Sequence, residues 1–306
     1  MNAEVIEVSP DGPLKTPAEA VLHVRGLRAS GKLAAQQSVT VRIAPGLYEL
    51  GDTLSLSAED SALTFEGAPG WKTVLSGGLR ISGFVVDDAG IWHAAIPRGI
   101  EFDELWVNGC RAVRARSPNT GYYYIKQAVS EGKDADGNPV DWFHRAFVAS
   151  RPSDLAPLSS MPDDELSRVV AYVYYSWDGD WLRCDHVVKD RGILVFKEPS
   201  RLDFFYLWNK YETRYHLENF RAALDEPGEW FLDRAANEVL YMPKAGQRPD
   251  SVACVAPRLR RLVSVAGTAN SPVRDVVFHN IAFSHTGAMA TRRPIATSSR
   301  TIGFEE

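Results

Sequence analysis

The sequence predicts an all-β protein built mainly from short strands that stack as the coils of a solenoid. Three observations support this prediction. Residues 38–97 form short alternating segments separated by Gly, Pro, Asp and Ser, without helical periodicity. Clusters of small residues such as "EGAPG" and "SGG" suit tight corners between strands. The similar segments "VTVRIA" (39–44) and "ALTFEG" (62–67) begin 23 residues apart, which is near the length of one coil.

One amphipathic helix is predicted before the first coil, over residues 17–29. Thr16 and Glu19 have the spacing of a capping box, and Pro17 suits the first helical position. Apolar residues recur at helical intervals on one face, and Gly31 suits the end of the helix. Because the apolar end of a solenoid needs a cover, we expect this helix to act as its cap.

Residues 108–257 differ in composition and predict an inserted β-rich domain. Five of the eight tryptophans fall there, beside aromatic runs such as "YVYYSWDGDW". The segment "EWFLDRAANEVLYM", residues 229–242, predicts a hairpin with a four-residue turn. The segment at 150–168, rich in Pro, Ser and Asp, predicts an exposed loop with one short helix.

Strand-forming segments return after the insertion, and Asn280 is predicted to bend the chain between two short strands. The expected organisation is therefore a cap with the first coils (1–107), the inserted domain (108–257), resumed coils (258–286) and an atypical, poorly ordered tail (287–306).

Charge and composition argue against several classes of function. The net charge of −5 and pI of about 5.9 favour neither nucleic acid nor an anionic membrane as a partner. No apolar run approaches the ~18–20 residues of a membrane helix, and the N-terminus lacks the features of a secretory signal. As written, the chain is expected to be soluble and cytoplasmic.

Trp177, Asp178, Asp180 and Trp181 in "SWDGDW" are the first candidates for contact with a sugar. Aromatic faces stack on the apolar faces of pyranose rings, and carboxylates accept hydrogen bonds from hydroxyl groups. The alternative is structural, since "DG" also suits a tight hairpin whose tryptophans pack inward.

Two further candidates lie near the start of the insertion and in the resumed coils. Arg116, which lies with Arg114 beside Asn119, either holds a sugar acid or caps carbonyl groups at a proline turn. His285 projects from the last recognisable coil, where it either lines a cleft or serves as a corner residue.

No metal or other cofactor is expected. The segment "DADGN" at 134–138 begins like a calcium loop, but Arg145 stands where a bidentate Glu is needed. The three cysteines have no metal-ligand spacing, and motifs for hydrolase triads, phosphates or dinucleotides are absent from the sequence. The catalytic residues stay unidentified at this point.

Five stretches together resemble a known class of protein: "VSPDG" (8–12), "VRIAPGLYEL" (41–50), "VNGCRAVRARSPN" (107–119), "LDEPGEWFLDRAANEVLYMP" (224–243) and "RDVVFHNIAFSHT" (274–286). They resemble the N-terminal half of bacterial right-handed parallel β-helix proteins of the pectate-lyase-like kind, in particular glycoside hydrolase families 141 and 120. The most specific motif begins at Pro227 with "PGEW", and Met242 replaces its second aromatic residue.

The resemblance implies extracellular or periplasmic action on plant-type or complex polysaccharides, with xylan- and fucose-type glycosidase activities, and a sandwich-like insertion. It places the catalytic carboxylates on later coils, which no position here matches, and therefore implies a C-terminal truncation. We expect a glycosidase-like protein with weak or no hydrolysis, whose unfinished end favours self-association. The alternatives are a non-catalytic carbohydrate-binding or surface module, which binds glycans without product, and a polysaccharide lyase.

Overall fold

The computed structural model describes residues 4–133, 138–205 and 213–287. These residues are mostly β, with few helices, and they form two compact units. The first unit contains the residues up to Ile81, Gly99–Cys110 and the described residues from Ala253 onward. The second contains Ser82–Arg98 and Arg111–Val252. The predicted tail beyond Gly287 lies outside the described residues.

The helices are α1 (Pro17–Ala29) and α2 (Asp163–Leu166), with short 3-10 turns at Ala58–Asp60, Pro152–Leu158, Lys189–Arg191 and Arg221–Ala223. The first strands are β1 (Glu4–Val8), β2 (Val39–Ile43), β3 (Gly46–Glu49), β4 (Leu54–Leu56), β5 (Leu63–Gly67), β6 (Thr73–Ser76), β7 (Gly78–Ile81), β8 (Val85–Val86), β9 (Trp92–Ala95), β10 (Trp106–Val107), β11 (Cys110–Arg111) and β12 (Val113–Arg114). The others are β13 (Arg116–Ser117), β14 (Tyr123–Lys133), β15 (Pro139–Ala149), β16 (Val170–Tyr174), β17 (Gly179–Val188), β18 (Ile193–Phe196), β19 (Thr213–Glu218), β20 (Glu229–Asp233), β21 (Glu238–Tyr241), β22 (Cys254–Pro257), β23 (Val263–Val265), β24 (Val277–His279) and β25 (Ile281–Ser284).

Three parallel sheets make up most of the first unit, with strand orders β1-β2-β5-β24, β3-β6-β25 and β4-β23. Within each sheet, neighbouring strands come from successive passes of the chain. Strands β7, β22 and β10 add antiparallel pairs. Asn280, in the left-handed region at φ 54°, makes the predicted bend between β24 and β25.

The register between the first two similar segments differs by one residue from the predicted repeat. Val39 pairs with Leu63 rather than with Ala62, so the spacing is 24 residues. This register aligns the buried residues of the two strands, whereas a slip of one would place Leu63 beside the half-buried Thr40. The one additional residue of the longer spacing is accommodated at Ala62, whose backbone lies in the left-handed region at φ 63°.

Helix α1 has the predicted bounds, and the predicted N-terminal cap residue Thr16 is confirmed. The Thr16 side chain accepts a hydrogen bond from the Glu19 amide at 3.2 Å. The face formed by Ala20, Val21 and Val24 is buried in the same hydrophobic cluster as the inward residues of β2 and β5. The helix therefore belongs to the core of the first unit.

Antiparallel pairing dominates the second unit, and six of its strands close into a ring. Neighbours around the ring are β14, β15, β18, β17, β16 and β19, and β19 pairs again with β14. The sandwich-like arrangement that the resemblance implied is therefore replaced by a closed ring, because β16 pairs on both of its edges. Buried side chains such as Phe147, Phe196 and Tyr215 belong to its core.

The predicted hairpin is confirmed as β20 and β21, which pair antiparallel. It continues into β9 and β8, which the sequence analysis had assigned to the first coils. Residues 82–98 belong to the second unit because they supply these two strands.

Candidate functional site

The outward face of β16 presents two tyrosines side by side. Successive side chains of a strand point to opposite faces, so Ala171 and Val173 point into the core while Tyr172 and Tyr174 point outward. On the neighbouring strands, Trp181 lies opposite Tyr172, and Arg214 lies opposite Tyr174. Strand pairing thus gathers aromatic and charged side chains on one outward surface.

Four aromatic rings on this surface touch in sequence, and we call them the aromatic row: Tyr122, Tyr174, Tyr172 and Trp181. The ring centroids are 5.0 Å apart for Tyr122 and Tyr174, 4.6 Å for Tyr174 and Tyr172, and 4.8 Å for Tyr172 and Trp181. Trp181 is 53 % exposed and Tyr122 37 % exposed. The first two contacts are edge-to-face and the third is tilted, and such contacts hold the rings in place while leaving apolar surface open to a ligand.

Gly179 makes room for the centre of the row. A Cβ atom at this position would lie 2.5 Å from the end of the Tyr172 ring, closer than side chains approach one another. The absence of a side chain at Gly179 therefore permits Tyr172 to lie against β17 and to reach Trp181.

A chain of hydrogen bonds runs from Tyr174 of the aromatic row through His216 to Glu218. The Tyr174 hydroxyl lies 3.1 Å from Nδ1 of His216, and Nε2 of the same imidazole lies 2.5 Å from Glu218 Oε1. A carboxylate only accepts hydrogen bonds, so Nε2 is the donor to Glu218. His216 is buried, so the partly buried Tyr174 is held at its hydroxyl by a side chain of the interior.

Glu218 is held in its charged form. Arg114 donates to Glu218 Oε2 from Nη2 at 2.7 Å and from Nε at 3.1 Å. Burial opposes the charge, but the hydrogen bond with His216 and the charge of Arg114 outweigh it and lower the pKa of this carboxyl to about 2. A carboxyl group that stays ionised down to such a low pH is unsuited to act as a general acid.

Two arginines approach Tyr174 from other strands. The Arg214 guanidinium lies 4.8 Å from the ring centroid of Tyr122 and 5.4 Å from that of Tyr174. Arg116 donates from Nε to the carbonyl of Pro118 at 3.2 Å. Burial raises the pKa of Tyr174, and the charges of Arg116 and Arg214 act in the opposite direction.

The predicted tryptophans face solvent. Trp177 is 57 % exposed in the turn between β16 and β17, and Trp181 stands on the outward face of β17. The tight hairpin of the structural interpretation is present, since β16 pairs antiparallel with β17, but neither tryptophan packs inward. Asp178 lies in the same turn and forms an ion pair with Arg201. It also accepts a hydrogen bond from the Gly179 amide at 2.8 Å.

Asp180 points the other way because it is one residue before Trp181 on the same strand. It is 2 % exposed and accepts hydrogen bonds from the Arg201 amide at 2.8 Å and the Tyr175 hydroxyl at 3.2 Å. These contacts anchor the segment that follows β18 to the ring. Of the two aspartates, Asp178 is the more exposed.

His285 belongs to the first unit. Its Nδ1 atom lies 2.9 Å from the Ser76 hydroxyl, and its ring meets Trp106 edge-on with centroids 5.5 Å apart. Burial lowers the pKa of this imidazole. Its backbone has φ 57°, as expected for a corner. The geometry favours the alternative in which His285 is a corner residue of the coil.

Glu229, in the most specific motif of the sequence, organises the backbone around it. The side chain is buried and accepts hydrogen bonds from the amides of Arg116, Asp225 and Glu226 at 3.2–3.3 Å. It joins the proline turn to strand β13. The motif is thus explained by local structure.

Sequence reasoning missed most members of this surface. The run "TRYHLE" at 213–218 contains the pattern that identifies them, because Arg214, His216 and Glu218 alternate with the inward Tyr215 and Leu217. Their proximity to Tyr174 depends on the pairing of β19 with β16, which no local pattern reveals.

Within the described ranges, no group of three or more His, Cys, Asp or Glu side chains is placed to hold a metal ion. Residues 134–137 of "DADGN" are outside these ranges. None of the described helices has the length and apolar character required to cross a membrane.

Two solved structures are similar to this chain. The first, described as "Glycoside hydrolase", has a TM-score of 0.76 and 25 % sequence identity over 93 % of this chain and 51 % of its own. The chain thus has a glycoside hydrolase-like fold and spans about half the length of that protein. The second, "The complex structure of XylC with xylose", has a TM-score of 0.34 and 12 % identity over 93 % of this chain and 35 % of its own, too low to support a conclusion. No family model matches the sequence, and no curated protein does.

Proposed function

We propose that this chain is a carbohydrate-active, glycosidase-like protein that binds a saccharide on the aromatic row. The observation that carries the proposal is the row itself, four touching rings on an outward surface. One of them, Tyr174, is fixed by the buried His216. Its likeness to a glycoside hydrolase supports the same class of ligand.

The row has the composition that saccharide binding requires. Pyranose rings present apolar C–H faces, which stack on aromatic rings, and hydroxyl groups, which need polar partners nearby. Partly exposed Trp and Tyr side chains supply both an apolar face and a hydrogen-bonding group. Trp177 and Asp178 extend this surface at the turn next to Trp181.

We further propose that the first unit is the beginning of a right-handed parallel β-helix of the pectate-lyase-like kind, related to glycoside hydrolase families 141 and 120. The three parallel sheets, in which neighbouring strands come from successive passes of the chain, support this assignment. The ligands implied are xylan- or fucose-type oligosaccharides from plant-type polysaccharides, encountered outside the cytoplasm.

Binding with weak or no hydrolysis is the activity that we propose for this chain. Glycoside hydrolysis requires two carboxyl groups about 5–5.5 Å apart for retention or about 6.5–9.5 Å apart for inversion, one of them protonated. The carboxylates beside the aromatic row, Glu218 and Asp178, both form ion pairs with arginine. The pKa of the Glu218 carboxyl is lowered to about 2, so this group stays ionised instead of supplying the proton.

Retention on immobilised xylan and fucan tests the proposal. Trp177→Ala and Trp181→Ala should each reduce retention strongly. Trp71→Ala removes a tryptophan of similar exposure (64 %) from the first unit and serves as the matched control. Equal retention of all four proteins would remove the row from the site.

Release of sugar from xylo- and fuco-oligosaccharides is measured in parallel. Turnover comparable to that of a full-length glycosidase would contradict the non-hydrolytic part of the proposal. Unsaturated products that absorb in the ultraviolet would instead identify a lyase.

A further inference from the structure

We propose that the saccharide bound on the aromatic row carries an anionic group, a carboxylate or a sulfate ester, held by Arg214 and Arg116 at the Tyr122–Tyr174 end. This inference rests on the proposed function and names its substrate class. It follows from how the arginines of this surface are paired.

Most arginines around the row already have a carboxylate partner. Arg114 is paired with Glu218, Arg183 with Glu198 and Arg201 with Asp178. Among the described residues, Arg214 and Arg116 form no ion pair with a carboxylate. The Arg214 guanidinium lies over the Tyr122 and Tyr174 rings, and the Arg116 guanidinium donates to a backbone carbonyl.

Strand register places the two arginines on the same stretch of surface. Arg214 lies directly opposite Tyr174 on β16 and opposite Tyr124 on β14, while Arg116 on β13 lies opposite Glu218 of β19. Arg214 and Glu218 alternate on the outward face of β19 with His216 between them. Arg116 is thus level with Glu218, four residues along β19 from Arg214, and its charge acts on the Tyr174 hydroxyl together with that of Arg214.

The Arg214 guanidinium is suited to take an oxyanion. Stacking on Tyr122 and Tyr174 uses the faces of the guanidinium group and leaves its N–H edge available. That edge matches the two oxygens of a carboxylate or a sulfate, which it binds through paired hydrogen bonds. Packing between two rings also restricts the motion of the side chain, so less entropy is lost on binding.

Charge balance supports the same assignment. The protein as a whole has a net charge of −5, but this end of the row has two positive side chains that form no ion pair with a carboxylate of the described residues. Its nearest carboxylate, Glu218, is neutralised by Arg114. At the Trp181 end, Arg201 faces both Asp178 and Asp180 and offers no surplus positive charge. The anionic group is therefore expected at the Tyr122–Tyr174 end alone.

Isothermal titration calorimetry with three oligosaccharides of equal length tests the inference: neutral xylo-oligosaccharide, its glucuronic-acid-substituted form and its sulfated form. At low salt, wild type should bind at least one anionic form about tenfold more tightly than the neutral one. The advantage should shrink as NaCl screens the charges. The anionic oligosaccharide that binds more tightly shows whether the site prefers a carboxylate or a sulfate.

Arg214→Gln should lower the affinity for the anionic form to that for the neutral form, with neutral binding unchanged. Arg116→Gln is the second variant and should produce a smaller loss in the same direction. Arg183→Gln is the matched control. It removes a positive charge from the same ring of strands, but that charge already forms an ion pair with Glu198. Circular dichroism confirms that each variant is folded.

Two results would overturn the inference while leaving the proposed function intact. One is equal affinity of wild type for the neutral and anionic forms. The other is a preference for the anionic form that survives Arg214→Gln and Arg116→Gln. Failure of all three oligosaccharides to bind would instead contradict the proposed function itself.

Discussion

The Tyr174 hydroxyl lies 3.1 Å from Nδ1 of His216, and this contact connects the partly exposed aromatic row to a part-buried ion pair. His216 is hydrogen-bonded in turn to Glu218, which Arg114 holds in its charged form. A surface ring is normally free to change rotamer, whereas this one is bonded at its polar end. The row is thereby pre-organised, and less of the binding free energy is lost in ordering it.

Gly179→Ala should weaken saccharide binding several-fold without removing any group that touches the ligand. The new methyl would lie 2.5 Å from the Tyr172 ring and displace it from Trp181. Overpacking of this kind costs about 1–3 kcal/mol. Calorimetry and urea unfolding measure the two effects. Gly51→Ala is the control, because a Cβ there has nothing within 4 Å. Unchanged affinity in Gly179→Ala would mean that Tyr172 plays no part in binding.

The Glu218 ion pair predicts an acid-dependent contribution to stability. The pKa of Glu218 is lowered from its ordinary 4.5 to about 2, so the contribution is present above pH 4.5 and is lost as the pH falls toward 2. A shift of this size corresponds to about 3 kcal/mol in the free energy of unfolding. The difference in unfolding free energy between wild type and Glu218→Gln should therefore narrow over that range. A difference independent of pH would contradict the assignment.

His93 predicts the opposite dependence in the hairpin sheet. Burial disfavours its charged form, but hydrogen bonds to Asp87 at 2.9 Å and Glu238 at 3.1 Å outweigh this effect and raise its pKa above 6.5. Its stabilisation is therefore complete below pH 6.5 and is lost as the pH rises through the raised value. Thermal unfolding between pH 6 and 9 should show this loss in wild type.

His93→Gln should flatten that part of the profile. His23→Gln, on the exposed face of α1, is the control and should leave the profile unchanged. If His93→Gln keeps the wild-type profile, another group is responsible.

Self-association is predicted through the last strands of the three parallel sheets. Within the described residues, β23, β24 and β25 each lie at an edge, and Val265, Val277 and Phe283 are about half exposed there. Such edges pair readily with another chain. Phe283→Lys should shift the protein toward monomer in size-exclusion chromatography with light scattering, whereas the control Leu22→Lys on α1 should not. A monodisperse wild-type monomer at all concentrations would contradict this prediction.

Local patterns in the sequence predicted the local elements. Helix α1 follows from Thr16, Pro17 and the periodicity after them, and the β20–β21 hairpin follows from strand residues on either side of a short turn. The coil spacing was missed by one residue because Ala62 takes an unusual backbone conformation, which its side chain does not indicate. The orientation of Trp181 was left open between solvent and core because alternation alone does not tell which face is buried.

The candidate site depends on contacts that are distant in sequence. Tyr174 and His216 are 42 residues apart and meet only because β16 pairs with β19. The same pairing closes the ring, which the pattern of strands did not predict. The alternation of Arg214, His216 and Glu218 was visible in the sequence, but its partner strand was not.

The most direct test is ¹⁹F NMR of protein labelled with fluorotryptophan, titrated with xylo- and fuco-oligosaccharides. The eight tryptophans give separable signals, assigned by single substitution. We expect the signals of Trp181 and Trp177 to shift with added saccharide, while those of the exposed Trp71 and the buried Trp230 stay in place. Shifts at Trp71 without change at Trp181, or no shift at saturating saccharide, would contradict binding on the aromatic row.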